Sequence, residues 1–317
     1  MLRRILRVLG FACLLMVGAA ALTWVVYQLS ERPRQAAIET CLLDGIDTLR
    51  ESPTAPPTVV RKLDAIADGL PVLDEAGVAA PPPDPSDASP YGDPVGPWLH
   101  LVNPGYEVGY DEVEHVPRWA AYKVTRNDGA HAPRPSGFRV DNRTRSKVRS
   151  EVYVRSGYDR GHMAPNYAMA VCHGEQAQYA SFLMTNVVPQ LHGLNAGFWK
   201  DLELRIAQRY SERYGEVWVA NGPVFLPNRE SRHIGPSDTR VRVPDAFWMV
   251  VSRRTAAGRL HAEAFLVPHQ EIWRDLDLSH YLVSIDEVER VTGLDLFPLL
   301  PAETQRALEA SPAPRAW

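Results

Sequence analysis

Cysteine is scarce in this chain: three in 317 residues, at Cys13, Cys41 and Cys172, with no CxxC pair. A cysteine-built zinc site is therefore excluded, and a bridge between Cys41 and Cys172 would join two residues far apart in sequence. Neither GxGxxG nor GxxxxGKS/T occurs, so nucleotide-cofactor binding has no motif. There is no internal repeat and no overall excess of positive charge. The formal net charge is -4, from 34 Lys+Arg against 38 Asp+Glu. A uniformly basic polyanion binder is thus excluded.

What is present is ordinary for a globular protein, with 45% hydrophobic and 23% charged residues. The charge is unevenly placed. Residues 1–100 carry 8 Lys+Arg and 12 Asp+Glu, so residues 101–317 are neutral. Inside that neutral part, residues 139–160 hold seven basic and three acidic side chains. A local positive stripe on a neutral body suits an anionic polymer that is bound and then released. By itself it is equally well a solvated, arginine-bearing loop.

The beginning of the chain is apolar. Residues 1–8 carry Arg3, Arg4 and Arg7, and Leu9 to Leu29 contains no charge over 21 residues. About 20 residues span the hydrocarbon core as a helix. The arginines before the span and Glu31 after it predict a cytoplasmic tail (1–8), a transmembrane anchor (9–29) and the remainder outside the cytoplasm, periplasmic or extracellular. The competing reading is a cleaved signal peptide ending near Ala19-Ala20-Ala21, which makes the protein secreted. The apolar run continues through Leu22, Trp24, Val25 and Val26, which favours the anchor.

Helical spacing follows at 35–50, and a short helix at 59–69. Residues 72–97, crowded with Pro, Asp, Ser, Gly and Ala, read as a linker without a core of its own, so 30–97 is expected to be a stalk. The compact domain is assigned to 98–317, its core ending near Pro301. Strands are predicted at 119–125, 150–155, 181–188, 216–220, 246–252 and 260–267. Helices are predicted at 195–213, capped by Asn195, and at 285–292, capped by Ser284. The pattern is α+β: a central, mostly antiparallel sheet flanked by helices.

Three short segments carry chemistry: YDRGH at 158–162, FLMTNVVPQ at 182–190 and LNAGFWKDLE at 194–203. Phosphodiester cleavage needs a base near neutral pKa, which suits His162. It also needs positive charge on the phosphate, from a dication or an arginine such as Arg160. Magnesium takes few protein ligands and prefers oxygen, so one amide such as Asn195 suffices. Glu203 lies eight residues on, about 80° further round the helix, where it can hold the ion's water. Asn186 ends a strand and can orient a group or the phosphate. Gly161 is expected where the backbone turns in a way other residues resist. Each residue also has a bland reading: a surface histidine, a helix cap, a solvated glutamate, a turn asparagine. His173 and His192 are read as bland.

The three segments in this order resemble the DNA/RNA non-specific endonuclease family, endonuclease G-like enzymes with a ββα-metal, or His-Me finger, active site. The DRGH quartet stands as Asp159-Arg160-Gly161-His162, the TNxxPQ segment as Thr185 to Gln190, and the asparagine-to-glutamate helix runs from Asn195 through Trp199 to Glu203. NPGYEVGYDEVEHVPRWAAYKV, VANGPVF, VPDAFWMVV and VSIDEVERVTGLDLF extend the likeness over about residues 98–301. The resemblance implies His162 as general base, with Asn195 the one direct protein ligand of Mg2+ (Mn2+ substituting) and Glu203 holding its water shell. It implies Arg160 and Asn186 as catalytic supports and Asp159 as a brace of the loop. It further implies cleavage of DNA and RNA with 5′-phosphate ends, and it is compatible with a homodimer. Arg139, Arg143 and Arg145 are the candidate nucleic-acid contacts. The family's further arginine, one turn after the glutamate, has only Arg205 or Arg209 to stand for it. Two rival readings remain: a membrane-anchored nucleic-acid receptor that does not cut, and a phosphodiesterase for a small or lipid substrate.

Overall fold

The computed structural model describes residues 77–81, 88–255, 258–273, 277–313 and 316–317, and scattered residues between Tyr27 and Ile66. The chain divides into two units, Met1–Ala76 and Gly77–Trp317. In the first unit, every described residue within 35–50 and 59–69 is helical, as the spacing predicts. The 9–29 span lies outside the described residues apart from Tyr27 and Gln28. Among those described, no helix is long and apolar enough to cross a membrane. Cys41 and Cys172 are each free thiols in their own unit.

The second unit is built on one antiparallel sheet. Its strands are β1 (Val78–Ala79), β2 (Leu99–Asn103), β3 (Tyr106–Asp111), β4 (Val116–Thr125), β7 (Glu216–Val224), β10 (Ala246–Arg254) and β11 (Arg259–Pro268), in the order β1-β11-β10-β7-β4-β3-β2. A short strand, β12 (Leu282–Val283), joins the outer side of β11. Two small ribbons stand apart: β5 (Asp159–His162) with β6 (Val187–Gln190), and β8 (His233–Ile234) with β9 (Val241–Arg242).

Both faces of this sheet are covered, which explains the unbroken apolar run in β10. Phe247, Met249 and Val251 enter one core, and Trp248 and Val250 enter the other. A half-solvated strand would alternate with polar residues instead. The first face carries α1 (Asn166–Ala180) and a long site helix that runs as Leu194–Phe198, Trp199–Leu204, Arg205–Tyr210 and Ser211–Tyr214, in π, α, π and α form. Leu194, Phe198, Leu202, Ile206 and Tyr210 are its buried stripe. The second face carries α2 (Ile285–Thr292) and α3 (Ala302–Glu309). Ser284 caps α2 by accepting from the Glu287 amide at 3.1 Å, as its sequence predicts.

Four expectations are corrected. Within the stretch 72–97, read as a coreless linker, the described residues 77–81 and 88–97 belong to the compact unit: β1 pairs with β11 and Tyr91 is buried, so that unit begins at Gly77. The core does not end near Pro301, because α3 buries Leu308 and Trp317 packs on Tyr210 and Tyr214. Residues 150–155 form no strand; Ser150–Tyr153 is a 3-10 turn, and Arg155 at φ 59° and Gly157 at φ 84° turn the chain back. The 181–188 strand shrinks to Val187–Gln190, because Met184–Asn186 turns tightly first.

Candidate active site

The β5–β6 ribbon presents the DRGH quartet at the edge of the first core. Its register sets Asp159 opposite Gln190 and His162 opposite Val187. Gly161 is glycine for space rather than for a special backbone angle. A Cβ there would stand 2.0 Å from the buried Gln190 Oε1.

Side chains alternate across a strand, so Arg160 and His162 share one side of β5. Their common neighbour confirms it. The Arg160 guanidinium lies 5.8 Å from the Phe138 ring centre, and the His162 ring lies 5.1 Å from it. Phe182 closes the other flank of His162 at 5.0 Å, edge-on. The imidazole is half-buried, with Nε2 enclosed and without a partner, which leaves Nδ1 as the nitrogen open to solvent. Burial, and after it the nearby positive charge of Arg134, lowers its pKa to about 3. His162 is therefore a neutral imidazole at physiological pH. Arg160 donates through Nε and Nη2 to the Ser150 carbonyl, at 3.2 and 2.7 Å, and rests against Tyr153. Its Nη1 stays available.

The other side of β5 meets the site helix. The Asp159 carboxylate accepts from Asn195 Nδ2 at 2.9 Å and from His192 Nδ1 at 2.6 Å, through the same oxygen. Asp159 is thus the brace that the quartet suggests, and what it braces is the amide of Asn195. Asn195 does not cap the helix. It sits one residue inside the first turn, and its side chain goes to Asp159 instead. His192, read as bland, belongs to this cluster: the Asp159 carboxylate accepting from it holds its pKa above the usual range.

A hard dication fits this donor set. With Nδ2 tied to Asp159, the other end of the Asn195 amide is the oxygen that Mg2+ prefers. Glu203 stands on the α segment that follows, beyond the non-helical Gly197, and the resemblance gives it the ion's water shell rather than a direct bond. Burial pushes its carboxyl up to about 8, against smaller opposing pulls from Trp199 and Lys200. A cation bound nearby would pull that value down again, because it favours the charged form.

Asn186 is not a phosphate contact. It is fully buried, and its side chain is spent on backbone: Oδ1 accepts from the Ala164 amide at 2.8 Å, and Nδ2 donates to the Ala164 and Ser181 carbonyls at 2.8 and 2.9 Å. It clamps the chain just after His162. Asn221 does the same from the main sheet, donating to the Met163 carbonyl at 2.8 Å. Only the VANGPVF likeness hinted at Asn221, since a lone asparagine in a strand has no periodic signal.

The three candidate contact arginines separate. Arg143 is committed, paired with Asp141 at 2.6 Å and donating to Asn103 and the Val102 carbonyl. Arg139 stacks on Tyr179 and donates to its carbonyl. Arg145 is exposed. Arg205 acts on Tyr210 and Glu263 at the sheet. His173 is structural, bonded to the Lys123 carbonyl at 2.6 Å.

The sequence profile of the DNA/RNA non-specific endonuclease family matches residues 85–303. The chain belongs to that family. Among its relatives, the mitochondrial nuclease EXOG of Danio rerio is 32% identical over 207 residues, 61% of this chain and 59% of that protein. The mitochondrial endonuclease G of Bos taurus is 28% identical over 72% of this chain and 80% of its own. Nuclease C1 of Cunninghamella echinulata var. echinulata is 29% identical over 68% and 88%. This chain therefore spans about three-fifths of the EXOG relatives' length. A solved structure of EndoG in complex with EndoGI superposes with a TM-score of 0.60 at 30% identity, over 68% of this chain and 91% of that one. The α+β architecture of the endonuclease family is thus the architecture of this chain.

Proposed function

We propose that this endonuclease-family chain hydrolyses phosphodiester bonds of DNA and RNA with little base preference, leaving 5′-phosphate ends. The observation that carries the reading is that one short strand holds both the imidazole of His162 and the Asp159 carboxylate that orients the Asn195 amide. His162 Nδ1 takes a proton from water, and the Phe138 and Phe182 rings against it hold the imidazole in place. Arg160, fixed by Ser150, offers Nη1 to a phosphate oxygen. Asn195 would ligate a divalent ion, Mg2+ or Mn2+, and Glu203 would hold its water. When bound, that ion neutralises charge on the phosphate and on the leaving 3′-oxygen. The uncharged span 9–29 behind three arginines supports a membrane anchor, with the nuclease domain on the far side from those arginines. A non-cutting receptor would have no use for a carboxylate, two residues before His162's neighbour Gly161, that orients the Asn195 amide.

The test is direct. The purified full chain is incubated with supercoiled DNA and with RNA, in EDTA and then with Mg2+ restored. Cleavage of both polymers is expected only with the ion, and His162→Ala is expected to lose about 10²–10⁴-fold in rate with an unchanged circular dichroism spectrum. Binding without any metal-dependent product supports the receptor instead, and full-rate cleavage by His162→Ala removes the base assignment.

A further inference from the structure

On the sheet face opposite the site helix, α2 and α3 bring three carboxylates together. Asp286 and Glu289 stand one turn apart on α2, and Glu309 is the last residue of α3. One oxygen from each lies within 4.8 Å of the others. Glu309 is only 6% exposed, and its Oε1 is enclosed without a hydrogen-bond partner. Among the described residues no Lys, Arg or His pairs with any of the three, and the charges that act on Glu309 are Glu289, Asp286 and Asp295. Two further features make the arrangement costly as it stands. A carboxylate at the end of α3 faces the negative pole of its own helix. The buried Glu309 carboxyl also faces two further carboxyls of like charge, the half-buried Glu289 and the exposed Asp286.

We propose that Asp286, Glu289 and Glu309 form a binding site for a hard divalent cation of the Ca2+ class, which clips α2 to α3. The donors are all oxygen, which selects Ca2+ or Mg2+ over Zn2+ or Cu2+. Ca2+ also takes several carboxylates directly in flexible geometry, whereas Mg2+ demands a near-ideal octahedron and usually keeps most of its waters, which favours Ca2+ for three side-chain carboxylates. Glu289 is pre-oriented, because its Oε1 accepts from the Leu296 amide at 2.6 Å. The site lies among residues that pack into the second core, with Val288 and Leu308, whereas Asn195 and Glu203 belong to the helix on the first. It is therefore separate from the nuclease site and does not depend on the function proposed above.

The experiment titrates Ca2+ alone into the full chain by calorimetry and follows thermal melting in EDTA and in 1 mM Ca2+. It compares wild type, Glu309→Gln, Asn195→Ala and, as a control, Glu303→Gln on the exposed side of α3. Wild type, Asn195→Ala and Glu303→Gln are expected to bind one Ca2+ and to melt about 5 °C higher with it. Glu309→Gln is expected to lose at least about tenfold in affinity and most of that rise, while melting no lower than wild type in EDTA. If Glu309→Gln does not fold, the exposed Asp286→Asn is expected to show the same loss. The proposal is overturned if Ca2+ shifts nothing in wild type, as it would if Glu309 simply kept its proton. It is equally overturned if the shift survives Glu309→Gln and Asp286→Asn, or vanishes in Asn195→Ala.

Discussion

Asp159→Ala is the sharpest probe of the site, because one carboxylate oxygen holds both Asn195 and His192. Removing it frees the Asn195 amide to rotate, so its oxygen is no longer aimed. A hydrogen bond to a charged group contributes about 1.5–3 kcal/mol, and partners that orient a metal ligand typically govern about 10–100-fold in affinity. At about 1.4 kcal/mol per factor of ten, the two magnitudes agree. The Mg2+ concentration giving half-maximal cleavage should therefore rise about 10–100-fold in Asp159→Ala, with a smaller change in the rate at saturating Mg2+. Asp159→Asn keeps an oxygen acceptor for Asn195 but loses the charge, so it should fall between wild type and Asp159→Ala. His192→Ala leaves the Asp159–Asn195 bond in place and should change the Mg2+ requirement little. The assay is plasmid nicking over a Mg2+ series. An Asp159→Ala enzyme with wild-type half-activation and a lower saturating rate would show that Asp159 acts on the substrate, not on the amide.

Two further outcomes follow from buried groups. Asn186→Ala leaves the Ala164 amide and the Ala164 and Ser181 carbonyls without that partner, which should cost about 3–5 kcal/mol in urea denaturation; a loss under about 1 kcal/mol with activity abolished would make it a substrate contact after all. His162 has a folded pKa near 3, below its unfolded value near 6.5. Below pH 6.5 the unfolded chain therefore binds a proton that the folded one refuses, and the histidine's contribution to stability falls with pH across that window. Between pH 7 and pH 5, wild type should lose about 1–2 kcal/mol more than His162→Gln, and equal losses would mean that the ring is solvated.

Local chemistry was readable wherever a residue's task is decided by its immediate neighbours. Ser284 caps α2 because a hydroxyl three residues before Glu287 meets that amide whatever surrounds it. The stripe from Phe198 to Tyr210 declares its helix because 3.6 residues per turn puts those side chains on one face. His162, Asn195 and Glu203 could be singled out because a short ordered set of segments carries them. What each asparagine does could not be decided this way. Asn186 and Asn195 are chemically identical. One is spent on Ala164 and Ser181 because the turn at 184–186 buries it, and the other keeps its oxygen because Asp159 takes its nitrogen. Residues 77–97 look like a linker because proline and aspartate dominate them, yet an edge strand needs only backbone, and β11 supplies the partner. The sequence by itself determined which side chains and local turns were available. Only the tertiary structure decided which face each met, because burial and hydrogen-bond partners come from segments distant in the chain.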